Sequence, residues 1–285
     1  MSIVVTGATG QLGRLVIDEL LERVPAERVA AVVRDADKAA DLAARGVELR
    51  VADYNSPQTL KAAFHPGDTV LLISSNDLHG RVAQHTAVID AAKEAGVARL
   101  AYTGILGGPD ADFLLAAAHR ETEELMLASG LPYTFLRNGW YTENYTGQLP
   151  TVLEHGAVVG SAREGRVASA ARRDYAAAAA AVLAGEGHTN TAYELSGDVA
   201  WSLPEYAAEV ARQTGREVAY KDLPAEDFRA LLTGSGMPAD FAEIFADVDD
   251  AISRGRLAVT TGDLSRLIGR PTTPFAETVA EALKA

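Results

Sequence analysis

Three glycines spaced Gly7-x-x-Gly10-x-x-Gly13 are the residues whose chemistry is most direct. Glycine permits turns and close backbone approaches that a Cβ forbids, and unpaired N–H groups at a helix start attract anionic oxygens. A dinucleotide pyrophosphate needs both. Gly7 takes the turn, Gly10 lets the backbone approach phosphate, and Gly13 lets the helix pack close to the preceding strand. Thr9, Gln11 and Leu12 complete this loop and count with it as cofactor-binding residues. Arg34 ends an apolar run, where an acidic residue would hold a ribose 2′-hydroxyl. An arginine there suits a 2′-phosphate and stacks on adenine, so NADPH is the expected cofactor.

Other polar residues gather where strands should end. Asp53 is expected to accept from the adenine amino group, with Tyr54 beside it, while Asn55 and Ser56 are expected to cap the next helix. Ser74, Ser75 and Asn76 should run beneath the cofactor ribose and nicotinamide, and Tyr102 and Thr103 bring hydroxyls to the end of the following strand. Asn138-Gly139-Trp140-Tyr141-Thr142-Glu143-Asn144-Tyr145 concentrates amides and aromatic rings in a chain with only 6% aromatic residues. Planar rings stack well on such a surface, which marks Trp140, Tyr141 and Asn144 as substrate-binding candidates.

Proton transfer is harder to place. None of the nine tyrosines has a lysine four residues later, so the Tyr-x-x-x-Lys pair that protonates an alkoxide-like oxygen is missing. Tyr102 and His119 remain as catalytic candidates, with a place in the core as the alternative for Tyr102. His119 and Glu123 are one helical turn apart, a spacing that suits either an oriented general acid or a solvated surface pair. An acceptor that needs no strong acid resolves the difficulty: reduction of a quinone gives a phenol-like product with a pKa of about 10. The protein then has to position a flat acceptor against the nicotinamide.

The elements that must position these residues alternate between strand and helix. Residues 3–5 are a β-branched run, and residues 12–24 an amphipathic helix with Leu12, Leu15, Val16, Leu20 and Val24 on one face. Strands are expected at 28–34, 47–52, 69–73, 99–103 and 132–137, with helices at 38–45, 81–95 and 114–129. This predicts an α/β fold, a doubly wound Rossmann parallel sheet, over residues 1–147. Residues 148–285 predict a smaller α/β cap that binds substrate and sends segments back to the core, including short strands at 157–159, 166–169, 192–195 and 217–220. Helices are expected at 174–183, from Ser202 onward, and through most of the remainder.

Composition narrows the class. A net charge of −13 disfavours nucleic-acid and anionic-membrane surfaces, and the absence of cysteine removes disulfides, thiolate catalysis and cysteine zinc sites. His65, His155 and His188 lie in turn-like contexts, with no metal-ligand spacing. With no signal peptide or membrane-spanning run, a cytoplasmic protein is expected. A homodimer is compatible with the chain.

The glycine loop, Arg34, Ala52-Asp53-Tyr54-Asn55, Ala101-Tyr102-Thr103, His119-x-x-x-Glu123, Arg137-Asn138-Gly139-Trp140-Tyr141, Arg173-Asp174 and Asp250-Ala251-Ile252-Ser253 together resemble the NmrA-like atypical short-chain dehydrogenases/reductases. Within them the likeness is to the branch of NADPH:quinone oxidoreductases and triphenylmethane reductases, and it covers effectively the whole chain. The resemblance implies NADPH contacts from the glycine loop, Arg34, Ser74, Ser75 and the Tyr102-Thr103 region, with Asn138 near nicotinamide and quinone as a catalytic and cofactor-binding candidate. Gly139-Trp140 points to the quinone branch. Glu124 and Gly104 depart from it, standing where relatives often carry lysine and serine. An NADPH-sensing regulator without turnover and a triphenylmethane or azo dye reductase are the alternative readings.

Overall fold

A computed structural model describes residues 1–284. The first half alternates without exception: β1 (Ile3–Val5), α1 (Gln11–Leu21), β2 (Val29–Val33), α2 (Ala40–Ala44), β3 (Glu48–Val51), α3 (Pro57–Ala63), β4 (Thr69–Leu72), α4 (Arg81–Ala95), β5 (Arg99–Ile105), α5 (Ala116–Ser129) and β6 (Tyr133–Asn138). There follow α6 (Glu143–Thr146), α7 (Leu149–His155), β7 (Ala157–Gly160), β8 (Arg166–Val167), α8 (Arg172–Ala184), β9 (Thr191–Leu195), β10 (Trp201–Ser202) and α9 (Leu203–Thr214). The chain closes with β11 (Ala219–Asp222), α10 (Ala225–Gly234), α11 (Ala239–Ser253), α12 (Asp263–Ile268) and α13 (Phe275–Ala282).

Seven strands form the main sheet in the order β3-β2-β1-β4-β5-β6-β9. The β1–β2, β1–β4, β2–β3, β4–β5 and β5–β6 pairs are all parallel. The order reverses at β1, the topological switch point outside which ligands of open α/β sheets bind. Its strands are continuous apolar runs because helices cover both faces: β1, β2 and β5 are buried at every position. One face packs Val4, Val32, Leu72, Leu100 and Phe135 against Leu60, Val88, Ile89 and Met126 of the helices.

The described residues divide into two compact units: residues 1–108, 118–138 and 173–194 in one, and residues 109–117, 139–172 and those from 195 onward in the other. The chain therefore crosses between them repeatedly and does not divide once near residue 147. The first unit recovers α8 and β9 late in sequence. Buried Arg99 of β5 donates to the Val182 carbonyl at the end of α8 (2.8 Å), and the Thr134 hydroxyl of β6 donates to the His188 carbonyl (2.7 Å). The second unit contains two small sheets, β10–β8 antiparallel and β11–β7 parallel. Its α9 begins on a capping box, Ser202 with Glu205.

Several boundaries differ from those expected. Residues 38–45 split into a 3-10 turn and the five-residue α2, and the strand expected at 217–220 is β11, displaced toward its C-terminus by pairing with β7. Helix α7 lies in the segment that the periodicity left undefined, and α6 takes up the end of the aromatic segment 138–145. The buried face of α1 is Leu12, Gly13, Val16, Ile17 and Leu20, with Leu15 only half-buried, because the helix meets the sheet through Gly13. No helix among the described residues is long and apolar enough to cross a membrane.

Candidate functional site

The glycine loop has the shape its spacing implies. Gly7 has φ +60°, in the left-handed region. A Cβ on Gly13 would lie 2.3 Å from the Gly7 carbonyl oxygen and 2.8 Å from Ala8 Cα, so only glycine fits where α1 meets the turn. Gly10 is the N-cap residue of α1, no side chain caps that helix, and its first turn carries no carboxylate. The opening N–H donors thus face outward beside a bare backbone, as a pyrophosphate requires. The turn is pinned from behind. Thr6 Oγ1 donates to the Leu71 carbonyl (2.9 Å) and accepts from the Ile73 N–H (3.1 Å), and the Tyr54 hydroxyl bonds Thr6 Oγ1 and the Ile73 carbonyl. Tyr54 braces β1 against β4 with its hydroxyl already engaged, and burial raises its pKa well above the usual phenol value.

Arg34 is exposed just past β2. Its neighbour Asp35 is occupied elsewhere, accepting from the Asp37 N–H (3.0 Å) and lying 3.8 Å from the Lys38 ammonium. Asp35 therefore does not neutralise the arginine. Asp53 is half-buried at the end of β3 and accepts from the Asn55 N–H (2.9 Å). The expected side-chain cap on α3 is not formed: Ser56 occupies the N-cap without a side-chain bond, and the Asn55 amide oxygen accepts from Gln84. Thr59 supplies the local closure instead, donating to the Ser56 carbonyl (2.7 Å).

After β4 the loop is tied down residue by residue. The Ser74 N–H donates to Thr103 Oγ1 (2.9 Å) and the Ser75 N–H to His85 Nε2 (3.0 Å), while the Ser75 hydroxyl donates to Gln84. Because Nε2 of His85 accepts, its proton sits on Nδ1, 2.9 Å from Thr122 Oγ1. Asn76 is exposed. Ser74 Oγ is buried without a partner.

Two catalytic candidates, Tyr102 and His119, turn into the interior. Tyr102 lies inside β5, which runs on to Ile105, and is fully buried. Its hydroxyl lies within hydrogen-bond distance of His119 Nδ1, at 2.7 Å. His119 and Glu123 do not form a surface pair: both are buried, and Glu123 grips Arg137 through two bonds of 2.9 and 2.7 Å. The same guanidinium bonds Glu194 (2.8 Å), whose other oxygen accepts from the Gly107 N–H (2.8 Å). Helical spacing put Glu123 near His119, but an arginine from the adjacent strand outcompetes a neutral imidazole for the carboxylate. Burial, with the nearby Arg81 charge, lowers the His119 pKa to about 3, and burial raises that of Tyr102 above the phenol range. Gly104 packs against this cluster: a Cβ there would lie 3.1 Å from Glu123 Oε1. Glu124 is exposed on α5.

Asn138 is the buried last residue of β6, its carbonyl accepting from the Leu106 N–H (2.9 Å). The aromatic segment that follows belongs to the second unit. There Tyr141 lies under the Arg172 guanidinium (4.7 Å to the ring centroid), and Trp140 and Asn144 line a pocket. That cavity, of about 60 Å³ and open to solvent, also has Tyr145, Tyr206, Phe228, Phe245 and Asp249 in its walls. Trp140 meets Phe245 edge-on (6.4 Å between centroids), and Tyr145 lies 5.8 Å from Tyr206. Sequence reasoning missed Tyr206 and Asp249, because neither carries a local motif. The described residues hold no group of three potential metal ligands among His, Asp and Glu.

Comparison with known proteins agrees with this architecture. Residues 7–186 match the family described as NAD(P)H-binding. The chain is 47% identical over 278 residues to quinone oxidoreductase 2 of Escherichia coli, covering 98% of this chain and 97% of that one. Among solved structures, the NADPH complex of the E. coli NADPH-dependent quinone oxidoreductase superposes with a TM-score of 0.96 at 47% identity, covering 99% of both chains. Triphenylmethane reductase of Citrobacter sp. superposes with a TM-score of 0.93 at 42% identity, covering 100% of both chains. This chain therefore belongs to the NAD(P)H-binding, NmrA-like atypical short-chain dehydrogenases/reductases that include quinone oxidoreductase 2.

Proposed function

We propose that this protein is an NADPH-dependent oxidoreductase acting on quinones. The observation that carries the reading is the buried Tyr102–His119 pair. With His119 held neutral down to about pH 3 and Tyr102 held above its ordinary pKa, neither supplies a strong acid at neutral pH. A simple alkoxide product would need one, whereas a quinol oxygen with a pKa of about 10 takes its proton from water or a weak donor. Whole-length similarity to an NADPH-dependent quinone oxidoreductase supports the same assignment.

NADPH, when bound, supplies the hydride. Gly7, Thr9, Gly10, Gln11 and Leu12 would hold the pyrophosphate, Arg34 the 2′-phosphate, and Asp53 the adenine edge. Ser74, Ser75, Asn76 and Thr103 form the bonded loop that would support ribose and nicotinamide, with Asn138 at the adjoining strand end. His119, held beside Tyr102, is a neutral imidazole that would offer a weak donor when its Nε2 carries the proton. Trp140, Tyr141 and Asn144 are the residues proposed for the acceptor, in the unit that serves as the substrate-binding part.

The test is consumption of NADPH by purified protein with 1,4-benzoquinone, against NADH and enzyme-free controls. Enzyme-dependent loss favouring NADPH is the expected result. Tight NADPH binding without turnover would overturn the assignment in favour of a sensor.

A further inference from the structure

The pocket of the second unit combines apolar walls with hydrogen-bond donors that the protein itself does not use. Trp140, Phe228, Phe245, Val158, Val159 and Leu232 supply walls. Tyr206, 1% exposed, and Tyr145 line the same space, and the buried hydroxyl of each donates to no protein acceptor. Leaving two phenol donors unsatisfied is costly, and a site that leaves them so is matched to a ligand that accepts from them. Asp249 of α11, 7% exposed, completes the wall; Oδ2 accepts from the Ser161 N–H at 2.7 Å. No lysine or arginine lines the pocket to neutralise it.

Resting on the quinone reading above, we propose that this pocket grips a carbonyl oxygen of a neutral planar acceptor through the Tyr206 and Tyr145 hydroxyls and the Asp249 carboxyl. The enclosed space of about 60 Å³ takes the carbonyl edge of a ring, leaving the rest at the mouth beside Trp140 and Phe245. The side chains divide the work. Tyrosine rings shape the slot while their oxygens read the acceptor, and a ligand lacking a carbonyl leaves the donors orphaned.

Asp249 adds a dependence on pH. Burial pushes its carboxyl up to about 6, against the opposing Ser161 N–H and with Asp222 adding like charge. The titratable groups around it are Tyr145 of α6, Tyr206 of α9, and Tyr220 and Asp222 of β11; the Tyr220 hydroxyl donates to Asp222 at 2.8 Å. Below about pH 6 the carboxyl carries a proton and becomes a third donor; above it, the carboxylate repels an acceptor oxygen. Affinity for a neutral quinone should therefore rise as pH falls through this value, whereas affinity for an organic cation should fall.

The experiment is steady-state kinetics of the full chain with 1,4-benzoquinone at pH 5.0 to 8.0, for wild type, Tyr206→Phe, Tyr145→Phe and Asp249→Asn, with NADPH affinity measured separately. Tyr206→Phe keeps the ring that stacks near Trp201 and removes only the oxygen. The expected result is a quinone KM raised about tenfold in each phenylalanine variant, with NADPH affinity unchanged. In Asp249→Asn the fall of quinone KM toward acid pH should disappear. Wild-type turnover with unchanged quinone KM in the phenylalanine variants overturns the pocket assignment alone. So does a wild-type quinone KM that falls as pH rises through about 6, the opposite of what a repelling Asp249 carboxylate requires. NADPH binding with no turnover of quinone by wild type overturns the quinone reading, and the pocket assignment with it.

Discussion

Replacing Arg137 with methionine should be among the most damaging single changes to the first unit. The guanidinium makes three bonds to carboxylates, at 2.9 and 2.7 Å to Glu123 and 2.8 Å to Glu194. Their burial is unequal: the Glu123 side chain is 5% exposed and that of Glu194 30%, so the cost falls mainly on Glu123. Removing one partner of a buried ion pair costs about 3–5 kcal/mol, because the remaining charge stays desolvated. The solvated Glu194 contact adds under about 1 kcal/mol. The expected loss is about 4 kcal/mol, or ~10 °C in thermal midpoint for a structure of this size. The assay is thermal and urea unfolding of wild type, Arg137→Met, and Arg137→Met with Glu123→Gln. If desolvated charge causes the loss, the double variant recovers more than half of it. A single-variant loss below about 1 kcal/mol, or a double variant no more stable than the single one, would refute the reasoning.

Further outcomes follow from the same geometry. Gly13→Ala, with its Cβ 2.3 Å from the Gly7 oxygen, must push α1 off the loop and should weaken NADPH binding at least ~10-fold by calorimetry; unchanged affinity would sink the cradle assignment. Arg34→Glu should cost at least ~10-fold in NADPH affinity while leaving NADH nearly unchanged, and an unaltered NADPH/NADH ratio would dismiss Arg34 as the phosphate ligand. His85 and His119 are both lowered to about 3 by burial and Arg81, so folding favours their neutral forms. That stability is present above the unfolded value of 6.5 and is lost as pH falls toward about 3. Two protons taken up on unfolding give a slope of about 2.7 kcal/mol per pH unit in the middle of that window, and His85→Asn should halve it.

The sheet was legible in sequence because its signals are local. A glycine triplet between a β-branched run and an amphipathic helix has few other solutions, and the buried runs at β2, β4 and β5 need only their own composition to be recognised. What local spacing missed was set by distant partners. His119 and Glu123 share a helix face, but Tyr102 and Arg137, contributed by separate strands, decide what each one does. Leu15 looked like a core residue until Gly13 set the rotation of α1. Asp249 sits in an acidic stretch, Asp247 to Asp250, where nothing marks one carboxyl as buried beside two unsatisfied phenols. Its meaning depends on Tyr145 and Tyr206, about 100 and 40 residues earlier, which only the fold brings to one pocket.

The Arg137 clamp also has a consequence for how the protein is made. The first unit gives up the chain at Gly108, Asn138 and Glu194, and the clamp draws a group from each of its three segments: the Gly107 N–H, the Glu123–Arg137 pair and Glu194. During vectorial synthesis six strands of the sheet can emerge before the second carboxylate and β9 exist. Arg137 must wait while residues 139–172, which belong elsewhere, pass out of the ribosome. A nascent chain halted before Glu194 is thus left with an unfinished sheet edge and an arginine that lacks its second carboxylate partner. Protection of that edge on ribosome-bound chains should appear only once residue 194 has cleared the exit tunnel.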